Sequence, residues 1–321
     1  MNIAIIGCGL IGQKRAKLLN HVKMVCDVDI NKAERLASTL KNCGFTCSVD
    51  VALNSDIDVV ILSVPNNELY NISLKVIEMG KHVLIEKPGS IHVKDLIKLK
   101  TLAEKSGSLV RIGYNHRYHP ACLKARDIIK NTDFGNTMFV RGRYGHGGRV
   151  GYEKEWRANP TLSGGGELID QGVHLIDLSS IFLGKFEHID GQVHTYFWNM
   201  DVDDNAFLNL KNRHGNVAWL HVSCTEWKNL FSLEIYGKHD KLHWEGLGGS
   251  YGIEKLTHYK MSPKMGPPET ICYEYPMGDS SWKLEMDEFF EDIRLNRIPV
   301  PGLEEGISVL SVVDKIYNKL L

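Results

Sequence analysis

At 321 residues the chain exceeds the roughly 250–300 residues at which a single core stops growing, so two domains are expected. Its 38 basic and 39 acidic residues leave a net charge of −1, scattered rather than gathered into a tail, which argues against nucleic acid and membrane surfaces as partners. No apolar run approaches the roughly 20 residues of a bilayer span, and Met1 leads straight into Asn2-Ile3-Ala4-Ile5-Ile6, which reads as a strand and not a signal peptide. Seven cysteines, an odd number with no CxxC pair, predict reduced thiols in a cytoplasmic protein and no zinc site.

Strand-like runs at 2–6, 22–26, 45–49, 58–64, 82–85 and 109–113 alternate with helical patterns near 10–19, 31–41, 67–79 and 92–106. That is the βαβ rhythm of a parallel sheet. Gly7-Cys8-Gly9-Leu10-Ile11-Gly12 follows the first strand and opens the first helix, and Asp27 closes the second strand about 20 residues on. The first glycine permits the turn, the second lets a pyrophosphate approach the backbone, and the third lets helix and sheet pack closely. A carboxylate at Asp27 accepts from ribose hydroxyls and repels a 2′-phosphate, and no arginine follows it directly, so NAD is favoured over NADP. Lys14 and Arg15 read as solvated residues of the first helix.

Beyond a bridging helix at 118–131, strands are expected at 137–144, 189–197, 206–210, 217–223, 231–236, 241–244 and 254–259, mostly joined by short turns and therefore antiparallel. Helices at 282–295 and from Glu304 to the C-terminus are expected to cover one side of that sheet. The apolar far face would then be left for self-association as a dimer or tetramer. The expected architecture is α/β: a doubly wound parallel Rossmann domain at 1–117, then an α/β domain at 118–321 with an open, mostly antiparallel sheet. The C-terminal helix is allowed to pack back on the first domain.

Residues 164–177 read Gly-Gly-Gly-Glu-Leu-Ile-Asp-Gln-Gly-Val-His-Leu-Ile-Asp, which puts Asp170 and His174 four apart on an amphipathic helix. A carboxylate beside an imidazole holds a proton acceptor in one tautomer; behind a dinucleotide fingerprint, the pair points to alcohol oxidation by hydride transfer. The plainer alternative is a structural helix pair. Gly164 to Gly166 and Gly172 cost helix stability, about 1 kcal/mol each against alanine, which predicts close approach of a ligand or cofactor. The glycine-rich loop 145–160 carries Arg149, Trp156 and Arg157; its aromatic face suits a sugar ring, and Arg149, Arg157 and Arg117 suit a phosphate or carboxylate clamp. A solvated basic loop with one anchoring tryptophan is the alternative. His116 and His119 form HxxH without convincing metal spacing, and Trp198 and Trp227 read as core or interface residues.

Ser63-Val64-Pro65-Asn66 and Glu86-Lys87-Pro88 follow the fourth and fifth strands, at the strand ends where open α/β sheets bind ligands. With Gly113-Tyr114-Asn115-His116-Arg117 and the Asp170-x-Gly172-x-His174-x-x-Asp177 helix, the order resembles the glucose-fructose oxidoreductase, inositol dehydrogenase and rhizopine-catabolism (Gfo/Idh/MocA) family over nearly the whole chain. The resemblance implies NAD contacts from Gly7, Gly9, Leu10, Ile11, Gly12, Asp27, Ser63, Pro65, Asn66, Glu86 and Lys87. It implies Lys87 near the nicotinamide and the reacting hydroxyl, with Asp170 and His174 helping to deprotonate the alcohol; the residues' own chemistry then suggests His174 as base with Asp170 its partner, Lys87 as polariser, and Tyr114, Asn115, Arg117, Arg149, Trp156 and Arg157 as candidate substrate contacts. The substrate it implies carries a secondary hydroxyl, or ketone, on a sugar, sugar nucleotide or cyclitol, with position 3 of a hexopyranose or nucleotide hexose one expected target. Where many members carry a histidine after Pro-Asn, this chain has Asn67-Glu68-Leu69-Tyr70. Two other classes use the same fold: a glycosidase that retains NAD and oxidises transiently, and a non-catalytic sensor.

Overall fold

The computed structural model describes residues 1–318, which form two compact units: Met1–Tyr114 with Trp282–Leu310, and Asn115–Ser281 with the chain from Ser311. In the first, β1 (Ile3–Ile6), α1 (Leu10–Ala16), β2 (Val22–Cys26), α2 (Ile30–Ala37), β3 (Gly44–Thr46), α3 (Val49–Asn54), β4 (Val59–Leu62), α4 (Asn66–Glu78), β5 (His82–Glu86), α5 (Val93–Ser106) and β6 (Val110–Gly113) follow in order. The six strands pair in parallel in the order β3-β2-β1-β4-β5-β6. Every residue of β1 and β4 is buried, as continuous apolar runs in a sheet covered on both faces should be. Strand order reverses beside β1, so the turns after β1 and β4 flank the crevice where such sheets take ligands. The strand expected at 45–49 is shorter: β3 ends at Thr46, and Ser48 caps α3 by accepting from the Val51 N–H at 3.4 Å. Six residues of helix are too few for periodicity to declare.

In the second unit, α6 (Pro120–Asn131), β7 (Thr137–Gly145), α7 (Pro160–Ser163), α8 (Val173–Leu183), β8 (Phe186–His194), β9 (Asn205–Asn212), β10 (Val217–Ser223), β11 (Leu230–Gly237), β12 (Asp240–Glu245), β13 (Glu254–Lys260) and β14 (Glu269–Tyr275) build an eight-stranded sheet in the order β14-β13-β12-β11-β7-β10-β9-β8. All neighbours are antiparallel except β7 and β10, so the mostly antiparallel sheet is as expected. β14 went unforeseen; it is a largely exposed edge strand in which half-buried Ile271, Tyr273 and Tyr275 alternate with exposed residues. α8 lies on β7 and β10, and α6 on β12, β13 and β14. Gly142 is what brings α8 so near: a Cβ there would stand 3.0–3.3 Å from Leu233, Leu220 and Leu175.

Of the last two helices, α9 (Ser281–Leu295) and α10 (Leu303–Asn318), the first corrects an expectation, whereas α10 from Ser311 onward belongs to the second unit as expected. α9 does not cover the antiparallel sheet: Met286 and Phe289 share a core with Ile3, Ile5, Val25, Val59 and Ile61 of the parallel one. Gly302 bridges to Arg111, and 303–310 also belong to the first unit; the end of the helix expected to reach residue 321 lies outside the described residues. Amphipathic periodicity states that a helix has an apolar side and is silent about which sheet receives it.

The open face of the eight-stranded sheet is not apolar throughout. Phe139, Phe207 and Trp219 are exposed there beside Arg141, which pairs with Glu234, itself bonded to Lys241. Trp227 is likewise exposed, not core, and stands at φ +56°. No helix among the described residues is long and apolar enough to cross a membrane.

Candidate active site

Each unit carries one half of the expected machinery. In the first, the three fingerprint glycines answer to three different constraints. Gly7 has φ +96° and a Cβ there would lie 2.2 Å from the Ser63 carbonyl oxygen; at Gly12 it would lie 1.9 Å from the carbonyl oxygen of Gly7. At Gly9 it would meet nothing within 4 Å. The chain needs Gly7 and Gly12 for its own packing, while the space over Gly9 is open. The Ser63 hydroxyl donates to the Gly7 carbonyl at 2.9 Å, bracing the turn from β4. Asp27 accepts from the backbone N–H of Cys8 at 2.8 Å and of Asp29 at 2.9 Å, which holds the carboxylate beside the turn with acceptor capacity to spare. Leu10 and Val28, 82% and 94% exposed, flank it with apolar surface. An open glycine, backbone donors at the turn, a fixed carboxylate and flanking apolar side chains fit the adenosine and pyrophosphate of NAD. Pro65 precedes α4 as its N-cap, and Asn66 is the buried first residue of that helix.

Arg15 overturns its sequence reading: it is wholly buried, not solvated. Its Nε and Nη2 donate to Glu86 Oε1 at 2.9 and 2.7 Å, Nη1 stands 2.6 Å from Glu285 Oε2, and the Trp282 ring covers the guanidinium at 4.4 Å. Glu86 is thus held from below, at the end of the strand that delivers Lys87. Gly113, paired with Glu86 across β5 and β6, leaves the room: a Cβ there would lie 3.0 Å from Glu86 Oε2 and 3.3 Å from Arg15 Nη2. One guanidinium serves two carboxylates here, and burial pushes the Glu285 carboxyl up to about 7, against the pull of Arg15. Arg111 and Asp292 form a second buried pair beside it.

In the second unit, Asp170 and His174 do not share a regular α-helix. Asp170 sits in a π-helical turn, Leu168–Gly172, and His174 in the first turn of α8. Such turns are rare and recur at functional sites. Asp203, which the sequence did not single out, holds the entrance: its two oxygens accept from the backbone N–H of Gly166 at 2.9 Å and of Leu168 at 2.8 Å, and Tyr317 donates to it at 2.8 Å. The glycine run belongs to this brace and not to a ligand. A Cβ on Gly166 would be 1.9 Å from the Asp203 carbonyl oxygen, on Gly165 2.2 Å from the Tyr317 hydroxyl, and on Gly172 3.1 Å from Leu168.

Asp170 accepts from Arg157 Nε at 3.2 Å. The His174 ring stacks on His116 with centroids 3.9 Å apart, and the Tyr144 hydroxyl lies 3.2 Å from His116 Nε2, whose Nδ1 faces the Asn115 side-chain oxygen at 3.2 Å. Glu167, also missed although three residues from Asp170, accepts from Tyr152 at 3.0 Å and stands 3.4 Å from His146. Burial pulls the His146 imidazole down, but Glu167 and then Asp170 outweigh it and leave the ring more basic than usual. Burial raises the Tyr144 hydroxyl far beyond physiological pH.

The expected substrate contacts divide. Trp156 is half-buried under the Arg157 guanidinium at 4.7 Å, and Arg149 reaches Glu155 at 2.6 Å. Arg117 is removed from the clamp: buried, it meets both oxygens of Asp177 at 2.8 and 2.6 Å. Asn115 donates to Ser281 at 2.8 Å, and Tyr114 is fully buried in the first unit, so both read as scaffold in the positions described. Among the described residues, no three His, Cys, Asp or Glu side chains come together as a metal site, and all seven cysteines are free thiols.

Comparison with known proteins bears on both halves. Residues 1–114 match the family described as "Oxidoreductase family, NAD-binding Rossmann fold", and residues 122–243 match "GFO/IDH/MocA C-terminal domain". Similar proteins include the D-glucoside 3-dehydrogenase of Escherichia coli (strain K12), 24% identical over 99% of this chain and 95% of its own, and the glucose-6-phosphate 3-dehydrogenase of Bacillus subtilis (strain 168), 28% identical over the same shares. A structure of levoglucosan dehydrogenase with NADH and levoglucosan superposes with a TM-score of 0.90 at 19% identity, covering 99% of this chain and 96% of that one. A fold with both domains in this order, an NAD-binding turn built as described, and family matches on each side of the junction make this chain a member of the GFO/IDH/MocA oxidoreductase family.

Proposed function

We propose that the protein is an NAD-dependent dehydrogenase acting on a secondary hydroxyl of a sugar or cyclitol. The observation that carries the reading is the π-helical turn, which sets a carboxylate immediately ahead of a buried histidine in a unit lined with aromatic and hydroxyl groups. The relatives' names support the substrate class. When bound, NAD supplies the hydride acceptor. A carbon gives up hydride only as its hydroxyl proton leaves, so His174 accepts that proton, and the negative charge of Asp170 favours the imidazolium that results. Lys87 supplies positive charge to the developing alkoxide, with its strand end anchored through Glu86 and Arg15. Asp27 favours NAD over the 2′-phosphorylated dinucleotide by charge repulsion.

The test is NADH absorbance at mildly alkaline pH with NAD and a panel of sugars, sugar phosphates, nucleotide sugars and cyclitols, run beside His174→Ala. A signal with one substrate that disappears in the variant supports the reading. Aglycone release without net NADH would replace it with a glycosidase, and tight NAD binding with no turnover of any substrate would replace it with a sensor. Faster turnover with NADP than with NAD at equal concentration would remove the role given to Asp27. We further propose association through the open sheet face around Phe139, Phe207 and Trp219, to be read as a dimer or tetramer by light scattering, and a reducing, cytoplasmic compartment in keeping with the free thiols.

A further inference from the structure

The arginines that looked like an anion clamp each already hold a carboxylate. Arg117 is bound bidentately by Asp177. Arg149 meets Glu155 at 2.6 Å; Arg157 meets Asp170 at 3.2 Å and Glu155 at 3.9 Å. Just behind them, Glu167 stands 3.4 Å from His146. Glu155, Glu167 and Asp170 therefore match or outnumber the cations they face, Arg149, Arg157 and the titratable His146, so among these six groups no positive charge is left over for an anion. A phosphate docking here would have to strip an arginine from its carboxylate and leave that carboxylate beside a new dianion. The surroundings suit an uncharged ring instead. Trp156 offers an aromatic face, and the Tyr144 and Tyr251 rings lie 5.6 Å apart, so apolar faces stand among groups that bond hydroxyls.

We infer that the substrate is an uncharged polyol ring, a free sugar, simple glycoside or cyclitol, and not a sugar phosphate or sugar nucleotide. The inference rests on the dehydrogenase reading, with Asp170 and His174 at the reacting hydroxyl. It also chooses between relatives whose names specify a glucoside in one case and glucose 6-phosphate in the other.

Matched pairs test it: glucose with glucose 6-phosphate, myo-inositol with its 1-phosphate, and N-acetylglucosamine with its uridine diphosphate conjugate. Each is offered to the whole protein with NAD for initial rates, and to the NADH-loaded protein for binding by calorimetry. The uncharged member of the best pair should show at least tenfold higher kcat/KM and the tighter binding. A phosphorylated member that matches or exceeds its partner overturns the inference. If nothing is oxidised, tighter binding of an uncharged ring upholds the inference while counting against the dehydrogenase; tighter binding of a phosphorylated member, or binding of none, overturns it. Glu155→Gln loosens the hold on Arg149 and Arg157 and should narrow the preference at least threefold. An unchanged ratio would overturn charge balance as its cause. Lys154, exposed on the same loop, is the cation a phosphate would recruit, so a phosphate preference that vanishes in Lys154→Ala would overturn the inference and place the anion there.

Discussion

Two glycine-rich segments look alike in sequence and do opposite things. Around Gly9 the backbone is bare because the protein puts nothing there, whereas around Gly165 and Gly166 it is bare because Tyr317 and Asp203 fill the space a side chain would need. The first kind of glycine leaves room for a ligand; the second serves the π-helical turn that carries Asp170 into α8. Counting glycines does not separate the two cases, and only the position of the missing Cβ does.

The sharpest test of what the closed segment carries is His174→Ala, expected to lower kcat on the order of 10²–10⁴-fold while calorimetric NAD affinity holds. Retained turnover would reduce the braced turn to architecture. Gly166→Ala drives a Cβ into the Asp203 backbone and should cost about 3 kcal/mol or more in denaturant unfolding. A fully stable variant would show that the brace yields easily.

Glu285 predicts a pH effect confined to the first unit. Its carboxyl is raised in the fold from 4.5 to about 7, so the folded state resists ionisation that the unfolded chain accepts. It therefore subtracts nothing below about pH 4.5, and its cost grows as pH rises to 7, reaching on the order of 3 kcal/mol. Glu285→Gln should flatten the fall in stability between pH 5 and 8, measured as Tm against pH; an identical slope in both proteins removes the assignment. The smallest effect is the most diagnostic for the comparison. Gly9→Ala should leave Tm within a degree or two of wild type, since nothing lies near its Cβ, yet weaken NAD about tenfold or more. A large loss of stability would mean that the space over Gly9 is filled in the folded protein.

Much of the first unit was legible in sequence. β1, α1 and β2 with Gly9, Gly12 and Asp27 depend on contacts within some 20 residues and on backbone sterics, and Gly7, although its closest constraint is the distant Ser63 carbonyl, is marked by its place in the same spacing. The Glu-Lys-Pro and Asp-x-Gly-x-His segments were visible as motifs, but their surroundings were not. Arg15 looked solvated because a seven-residue helix with neighbouring basic residues resembles a surface helix, and its partners Glu86 and Glu285 come from distant strands and helices. Arg117 looked available for the same reason, its partner Asp177 being 60 residues away. The reading of 164–177 as plain α-helix missed the π turn because Asp203 and Tyr317, which hold its entrance, lie far along the chain.

The sequence by itself determined the alternation of strands and helices and the nucleotide-binding turn, because each is set by local sterics and short-range periodicity. Only the tertiary structure decided which sheet α9 joins, which carboxylate each arginine holds, and which glycines face open space. Those outcomes depend on desolvation and on close packing between groups the chain brings together from far apart, and a local pattern carries no record of the partner.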